Sequence, residues 1–298
     1  MIASMRTDHA QPGILAPLPA VGRSVTFRIL PYSDLRRALA SLRAGFEVDW
    51  GVVGLGEPVV RALGAEIPGL RTFPALAGPG TVVPSTQAAL WFFLRGAERG
   101  ALFDATQRIA ALVAGAFALD DALDTFNYAG GRDLTGYEDG TENPKGDAAL
   151  EAALVSGPAG LAGASFVAVQ RWVHDLARFR SHSQAKRDAI IGRRLDTNEE
   201  IADAPVSAHV KRAAQESYDP PAFMLRRSMP WAAAHEHGLE FLAFGESLDR
   251  YERVLRRMLG NDDGVSDALF SFSRPLRGGY SWCPPLAGDR LDLSALGL

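Results

Sequence analysis

Strand-like and helix-like segments follow one another along this chain in an order that limits its possible folds more than any other feature. Residues 24–30 alternate Val25, Phe27 and Ile29 with polar neighbours, which predicts a half-buried strand. The rest of the first half is predicted, in chain order, as a helix (35–44), a strand (50–55), a helix (57–63), a long loop rich in Pro and Gly (66–85), a strand (88–94), a helix (101–114) and a strand (118–128). This order, βαβ followed by βαβ, predicts a ferredoxin-like unit.

The second half repeats the order of elements without a visible sequence repeat. Its predicted elements are a strand (165–172), two helical pieces (176–179 and 184–191), two strands (223–228 and 239–244), a helix (248–259) and a closing strand (279–282). We therefore expect an α+β fold of two ferredoxin-like domains, with antiparallel sheets flanked by helices. The expected domains are residues 1–132 and residues 133–298, joined near residues 130–136.

Length and composition are those of an ordinary globular protein. The 298 residues, of which 47% are hydrophobic and 22% charged, provide ample material for a core. The formal net charge of −4 gives no general attraction to nucleic acid or to an anionic membrane, so we expect neither as a partner. Cys283 is the single cysteine, which excludes an intramolecular disulfide and cysteine-ligated metal clusters.

The first ten residues contain no apolar signal-peptide core and no twin-arginine pair. No window of the chain approaches 18 uncharged apolar residues, the length that a membrane-spanning helix needs. We therefore expect a cytoplasmic protein.

Residues 136–144 read Gly-Tyr-Glu-Asp-Gly-Thr-Glu-Asn-Pro and combine three carboxylates and an amide with two glycines and a proline. This composition continues neither a helix nor a central strand, because Gly136 and Gly140 permit backbone angles closed to other residues and Pro144 fixes its own. Such a turn can hold an acidic side chain at a defined point and bring backbone close to a ligand. An acidic surface loop, with or without a weak calcium site, is the simpler alternative.

Three further motifs follow this turn: Ser-Ala-His-Val-Lys-Arg at 207–212, Met-Leu-Arg-Arg-Ser-Met-Pro at 224–230 and Gly-Gly-Tyr at 278–280. The turn itself resembles the G-x-x-D-G signature of the dye-decolorizing peroxidases. All four motifs are similar, in order and spacing, to the bacterial B-type (P-class) branch of that family. The resemblance runs from residue 11 to about residue 285.

The resemblance implies a fold of the dimeric α/β-barrel type and a haem-dependent peroxidase, with one haem b per chain bound in the C-terminal domain. Such an enzyme reduces hydrogen peroxide to water through a ferryl intermediate and oxidises organic donors, such as dyes and phenols, by one-electron steps. Its partners would be hydrogen peroxide and an organic reductant, and we expect a homo-oligomer. Two alternatives keep the haem but change its use, namely release of iron from haem and haem carriage.

By resemblance, His209 is the axial ligand of the haem iron. This role needs a neutral imidazole, often made more basic by a carboxylate on its other nitrogen. The matching carboxylate is Asp267, for which an aspartate at a helix N-terminus is the alternative. A thiolate ligand is conceivable only through Cys283, but this residue ends an apolar run and is interpreted as a packed strand terminus.

On the opposite face of the haem, the resemblance assigns Asp139 as the acid and base and Arg226 as the positive group. Strand alternation fits this choice, since it sends Arg226 and Ser228 to one face and Arg227 to the other. Ser228 stands where some family members carry asparagine, and its shorter side chain leaves more room for water. The acid and the cation favour a peroxidase, because a carrier gains nothing from them in an otherwise apolar pocket.

Other residues are weaker candidates for contact with haem. Arg193 matches an arginine of related sequences and is the candidate partner of a propionate, with an exposed arginine at a helix end as the alternative. Backbone amides from Gly140 to Asn143 are candidates for the haem edge. Aromatic residues are candidates for the pocket wall (Phe241, Phe244) or for electron transfer to the surface (Tyr251, Trp231, Tyr280). Core packing accounts for these aromatic residues equally well.

Overall fold

The structure is a computed structural model that describes residues 8–298. Residues 1–7, most of the segment in which we find no targeting signal, lie outside the described range. The strands are β1 (Val21–Ile29), β2 (Gly51–Leu55), β3 (Leu76–Gly78), β4 (Thr81–Val83), β5 (Leu90–Gly96), β6 (Phe117–Phe126), β7 (Ser165–His174), β8 (Leu225–Arg226), β9 (Met229–Ala232), β10 (His237–Gly245), β11 (Ser273–Cys283), β12 (Leu286–Ala287) and β13 (Arg290–Leu291).

The helices are α1 (Pro12–Leu15), α2 (Leu35–Gly45), α3 (Glu57–Ala62), α4 (Arg99–Leu112), α5 (Asp147–Ala153), α6 (Leu176–Ser181), α7 (Gln184–Ile191), α8 (His209–Arg212) and α9 (Leu248–Met258). Short 3₁₀ helices occur at Val48–Trp50, Gln215–Ser217, Ala268–Ser271 and Ser294–Leu296. The longer helices follow strands, as the sequence pattern predicts.

Within residues 8–298, nine strands form one sheet in the order β6-β1-β5-β2-β11-β7-β10-β8, with β9 also paired to β10. The pairings are antiparallel. Each half of the chain contributes four neighbouring strand positions to this sheet. Counted along the sequence within each half, their order across the sheet is fourth, first, third, second, which is the order of a ferredoxin-like unit. In the second half, β8 and β9 together take the second position. The two units meet where Trp282 of β11 pairs with Leu55 of β2.

The sheet curls until its two edges face each other. Thr125 of β6 donates a hydrogen bond to Sδ of Met229 in β9 across this closure, at 3.7 Å. The rings of Trp91 in β5 and Phe244 in β10 lie 6.3 Å apart, although these strands are not neighbours in the sheet. The inside of the curled sheet is filled by an apolar cluster that includes Ile14, Val52, Val167, Leu242 and Cys283.

The outer face of the sheet is covered by helices and carries the larger apolar core. Helix α2 begins where expected, since the Asp34 carboxylate accepts the N–H of Arg37 at 3.0 Å and caps the first turn. Helix α9 buries the face that its sequence predicts, formed by Leu248, Tyr251, Leu255 and Met258. This helix packs over β7 and β10.

Several elements differ from the sequence-based expectation. The predicted strand at 223–228 is reduced to β8, because a break at Arg227 and Ser228 interrupts the ladder to β10. The pairing resumes in β9, which the sequence analysis did not predict. The predicted loop at 66–85 contains the hairpin β3–β4. Its Pro and Gly residues interrupt the alternating pattern by which a strand is predicted. Helix α5 was not expected, although its alanines and leucine are strong helix formers. Strand β11 is longer than predicted because Gly278 and Gly279 interrupt the apolar pattern but not the pairing with β7.

The α+β class and the antiparallel sheet flanked by helices are confirmed. The division into domains 1–132 and 133–298 stays a prediction, as does the cytoplasmic location. None of the helices within residues 8–298 is both long enough and apolar enough to cross a bilayer.

Candidate active site

The segment between β6 and α5 folds into a tight loop that fixes the position of Asp139. The Arg132 guanidinium donates to the carbonyl of Gly136 at 2.8 Å, and the N–H of Asp139 donates to the carbonyl of Gly131 at 3.2 Å. Gly136 and Gly140 have φ of +93° and +76°, in the left-handed region that favours glycine. The turn predicted at 136–144 is therefore present and holds one carboxylate at a defined point.

Strand β8 presents Arg226 to a cavity and turns its neighbour away from it. Arg226 lines this cavity, and its Nε is buried with no hydrogen-bond partner among residues 8–298. Arg227 points to the other side, where its Nη2 donates to the carbonyl of Leu15 at 2.8 Å. The alternation expected from the sequence thus separates the two arginines.

His209 begins helix α8, directly after a turn closed by a hydrogen bond of 2.8 Å from the N–H of Ala208 to the carbonyl of Pro205. Its Nδ1 lies 2.8 Å from Oδ2 of Asp267, so Nε2 is left for the cavity. The other oxygen of Asp267 accepts the N–H of Leu269 at 2.8 Å and caps a 3₁₀ helix. Asp267 therefore contacts the His209 imidazole and also caps the start of a 3₁₀ helix, so the two interpretations of this residue do not exclude each other.

Burial and neighbouring charges shift the pKa of both Asp139 and His209. Burial raises the pKa of Asp139, and although Arg226 opposes this, Asp133 adds to it, so the pKa lies above the ordinary value. Burial lowers the pKa of His209, but the Asp267 carboxylate outweighs burial, and the net pKa is raised. Asp139 therefore takes up a proton more readily than an exposed carboxylate does.

His209, Asp139 and Arg226 line one cavity of about 140 Å³, bounded by residues of β7, β10 and α9. A mainly apolar cavity with a few placed polar groups is typical of small-molecule and cofactor sites. Most of the remaining lining is apolar and includes Ile191, Met224, Leu239, Phe241, Val254, Leu255, Met258 and Leu269. The cavity is thus a mainly apolar space with a few polar groups.

The groups that line this cavity fit a haem better than a bare metal ion. In residues 8–298, no group of three or more His, Cys, Asp or Glu side chains is arranged to hold a metal. An iron porphyrin brings its own four nitrogen ligands and needs only one imidazole from the protein, which His209 provides. Two cavity-lining side chains, Arg226 and Gln170, each have a buried nitrogen donor without a partner in the described residues. These donors suit an oxygen-bearing ligand.

A second polar cluster, which the sequence motifs do not reveal, also reaches the cavity. His174 places Nε2 3.1 Å from Oδ1 of Asp133 and Nδ1 2.7 Å from Oγ of Ser273. Burial raises the pKa of Asp133, but hydrogen bonds from His174 and Thr135 outweigh it and leave the pKa lowered. The alternation of β7, which puts His174 on the same face as Gln170, is the one sequence signal for this cluster.

Four of the predicted site residues are not part of the cavity lining, namely Gly140, Arg193, Ser228 and Asp267. The Arg193 guanidinium donates to Glu142 at 2.7 Å and to the carbonyl of Asn198 at 2.9 Å. Ser228 lines a smaller cavity of about 10 Å³, which Asp139 also borders. Asp139 therefore stands between the large cavity and the small one.

Among the aromatic candidates, Phe241 and Tyr251 line the cavity, and the ring of Tyr280 lies 6.0 Å from that of Tyr251. The prediction that Phe244 lines the pocket is wrong. Phe241 and Phe244 are an odd number of positions apart on β10, so their side chains lie on opposite faces of the sheet. Phe244 packs inside the curled sheet. Cys283 ends β11 there, fully buried, which confirms it as a packed strand terminus.

One imidazole held by a carboxylate, with an acid and a guanidinium in the same apolar cavity, is the arrangement of a haem peroxidase. Residues 130–288 match the family model described as Dyp-type peroxidase, C-terminal. The chain therefore belongs to the dye-decolorizing peroxidase family, a family of haem peroxidases.

Related proteins agree with this assignment over most of the chain. The dye-decolorizing peroxidase of Mycobacterium tuberculosis is 30% identical over 230 residues, which are 75% of this chain and 68% of that protein. A dye-decolorizing protein from V. cholerae is 27% identical, with a TM-score of 0.82 over 91% of this chain and 96% of that chain. A variant of DypB from Rhodococcus jostii RHA1, solved in complex with haem, is 26% identical, with a TM-score of 0.85 over 91% of this chain and 95% of that chain.

Proposed function

We propose that this protein is a peroxidase of the bacterial B-type branch that binds one haem b per chain. It would reduce hydrogen peroxide to water and oxidise organic donors, such as dyes and phenols, by one-electron steps. The observation that carries the proposal is that His209, held by Asp267, lines the same cavity as Asp139 and Arg226. The haem in the related DypB structure supports the cofactor. Homo-oligomeric assembly stays a prediction.

His209 would hold the iron through Nε2, since its Nδ1 is engaged by Asp267. The carboxylate fixes the tautomer and the ring orientation and makes the imidazole a stronger donor. Phe241 and the aliphatic lining residues would cover the porphyrin faces, which removes apolar surface from water. Arg193 stays the candidate for a propionate, which would compete with the exposed Glu142 for its guanidinium.

A bound haem would supply the iron that takes up peroxide and the oxidising power that the donors consume. Asp139 handles the proton, because its carboxylate can accept one from the incoming peroxide and return it to the outer oxygen, which leaves as water. The raised pKa of Asp139 suits this exchange. The guanidinium of Arg226 stabilises the negative charge that develops on the departing oxygen.

An absorption spectrum of the haem-loaded protein, before and after one equivalent of hydrogen peroxide, tests this proposal. The wild type should show a ferric Soret band that changes on addition of peroxide and returns when an organic donor follows. His209→Ala should lose the starting band. His235→Ala, which replaces an exposed histidine, is the control and should behave as the wild type does.

Each other outcome points to a different function. A Soret band that does not respond to peroxide would favour haem carriage, and loss of iron from the bound haem would favour iron release. Absence of a Soret band in the wild type would refute the haem site.

A further inference from the structure

The side chain of Asn143 is hydrogen-bonded to the main chain of Arg226 at both of its polar groups. The N–H of Arg226 donates to Oδ1 of Asn143 at 2.8 Å. Nδ2 of Asn143 donates to the carbonyl of Arg226 at 3.0 Å. A carboxamide is the side chain that offers one acceptor and one donor side by side, so it matches a peptide group.

These main-chain groups of Arg226 are not used by β10 because of how β8 pairs with it. The carbonyl of Arg226 also accepts a hydrogen bond of 3.2 Å from Nη1 of Arg227. Arg226 lies opposite Ala243, and the next N–H, that of Arg227, donates to the carbonyl of Leu242 at 2.8 Å. In an antiparallel pair, successive residues direct their N–H and C=O groups alternately toward and away from the partner strand. Arg226 therefore directs its groups away from β10, where Asn143 takes the place of another strand.

The other end of this connection is the turn that carries Asp139. The N–H of Asn143 donates to the carbonyl of Gly140 at 3.0 Å, which closes the turn directly after Asp139. Gly140 has φ of +76°, and a Cβ added there would lie 2.8 Å from Nδ2 of Asn143. The amide is thus packed against the turn while it binds the strand.

We propose that Asn143 is a positioning residue that fixes the Asp139 carboxylate and the Arg226 guanidinium relative to each other. The proposal rests on the proposed peroxidase function, in which these two groups act on one peroxide molecule. The side chain of Asn143 touches neither the peroxide nor the haem in this scheme. It joins two segments that are distant in sequence and that approach the cavity separately.

A double-mutant cycle separates positioning from a general structural role. We expect haem-loaded Asn143→Leu to react with peroxide about 10²-fold more slowly than the wild type, the order of loss that follows a misplacement of about 1 Å. Its ferric Soret band should be unchanged, because the His209 side is intact. In the Arg226→Leu background, Asn143→Leu should add little further loss, since it acts through Arg226. Lys145→Ala, at an exposed residue after the same turn, is the matched control.

Hydrogen exchange of the purified protein, followed by mass spectrometry, gives a readout that does not depend on turnover. Asn143→Leu should increase exchange both in the segment that contains Arg226 and in residues 136–143, whereas Lys145→Ala should change neither. If Asn143→Leu does not fold, Asn143→Asp serves instead, because it keeps the acceptor for the Arg226 N–H and loses only the donor.

Two results would overturn the proposal. One is an equal fold-loss of rate from Asn143→Leu with and without Arg226; the other is unchanged exchange at Arg226. A wild type that does not react with peroxide would instead refute the proposed function, and the exchange measurement would still decide whether Asn143 couples the two segments.

Discussion

Asp267 combines two contacts that a single substitution can separate. One carboxylate oxygen faces Nδ1 of His209, and the other caps the N–H of Leu269. In Asp267→Asn, the amide oxygen can keep the cap, but an NH₂ group then faces Nδ1. We expect haem affinity or peroxide turnover to fall by about 10–100-fold, as is usual when the partner of a ligating histidine is lost.

Haem titration of the apoprotein and initial rates with hydrogen peroxide measure this effect. Asp262→Asn removes an exposed carboxylate from the same loop and is the control. Equal losses in the two variants would mean that Asp267 contributes only general negative charge.

We expect Asp139 to set the pH dependence of the proposed peroxide reaction. This carboxyl must be ionised to accept a proton, and its pKa is raised by burial, with Arg226 in partial opposition. The rate should therefore fall as the pH decreases through the raised pKa, and this fall should begin above the ordinary aspartate value of about 3.9.

Stopped-flow rates across the acid range measure this dependence. Asp139→Asn should lose the acid limb and most of the rate, whereas Glu151→Gln, at an exposed position on α5, should keep both. An acid limb that persists in Asp139→Asn would assign the titration to another group.

The residues of the site differ in how far the sequence predicts them. His209, Asp139 and Arg226 stand in recognisable motifs, and strand alternation separates Arg226 from Arg227 correctly. His174 and Asp133 stand in no motif and meet only because the fold brings β7 beside the loop after β6. Asn143 lies within the acidic turn, but the sequence does not show that its amide binds Arg226.

Strand β10 lies between the apolar interior of the curled sheet and the cavity on its outer face. Phe244 lies on the first side of the strand and Phe241 on the second. Phe244 is fully buried inside the curled sheet, whereas Phe241 lines the cavity on the outer face. Phe244→Ala should lower the free energy of unfolding by about 3–5 kcal/mol, the usual loss for an aromatic residue in a packed core. Phe241→Ala should cost less stability, since its ring already borders open space, and should weaken haem binding instead.

Chemical denaturation of the apoproteins and haem titration distinguish the two phenylalanines. Similar losses of stability in both variants would show that the cavity is closed and packed when haem is absent.

Alternating patterns such as that of β7 predict their strands well, because one face of each is buried. The pattern fails at β8 and β9, which are too short to show a period and depend on β10 and Asn143 for their hydrogen bonds. It also fails at β3 and β4, which lie in a Pro- and Gly-rich segment. Helix α9 is predicted closely because its apolar face spans three turns.

At the scale of the whole molecule, the two ferredoxin-like units share their stabilising interactions. Leu55 and Trp282 join them within one sheet, and both apolar clusters contain residues from each half. We therefore expect the apoprotein to unfold in a single cooperative transition, although the sequence suggests two domains.

Differential scanning calorimetry measures this cooperativity. The calorimetric and van't Hoff enthalpies should agree, and two resolved transitions would show that the halves unfold separately. The sequence predicts each unit by its order of elements, but it holds no local signal for the pairing of β2 with β11.

The meeting of β6 and β9 has a consequence for how copies of this chain can associate. An open sheet edge offers unpaired N–H and C=O groups as a template for a strand from another molecule, and it is a common start of aggregation. In this protein β6, at one edge of the main sheet, lies against β9 at the other. Self-association would therefore use helices and loops, and fibril-like growth by strand addition would first require the closure to open.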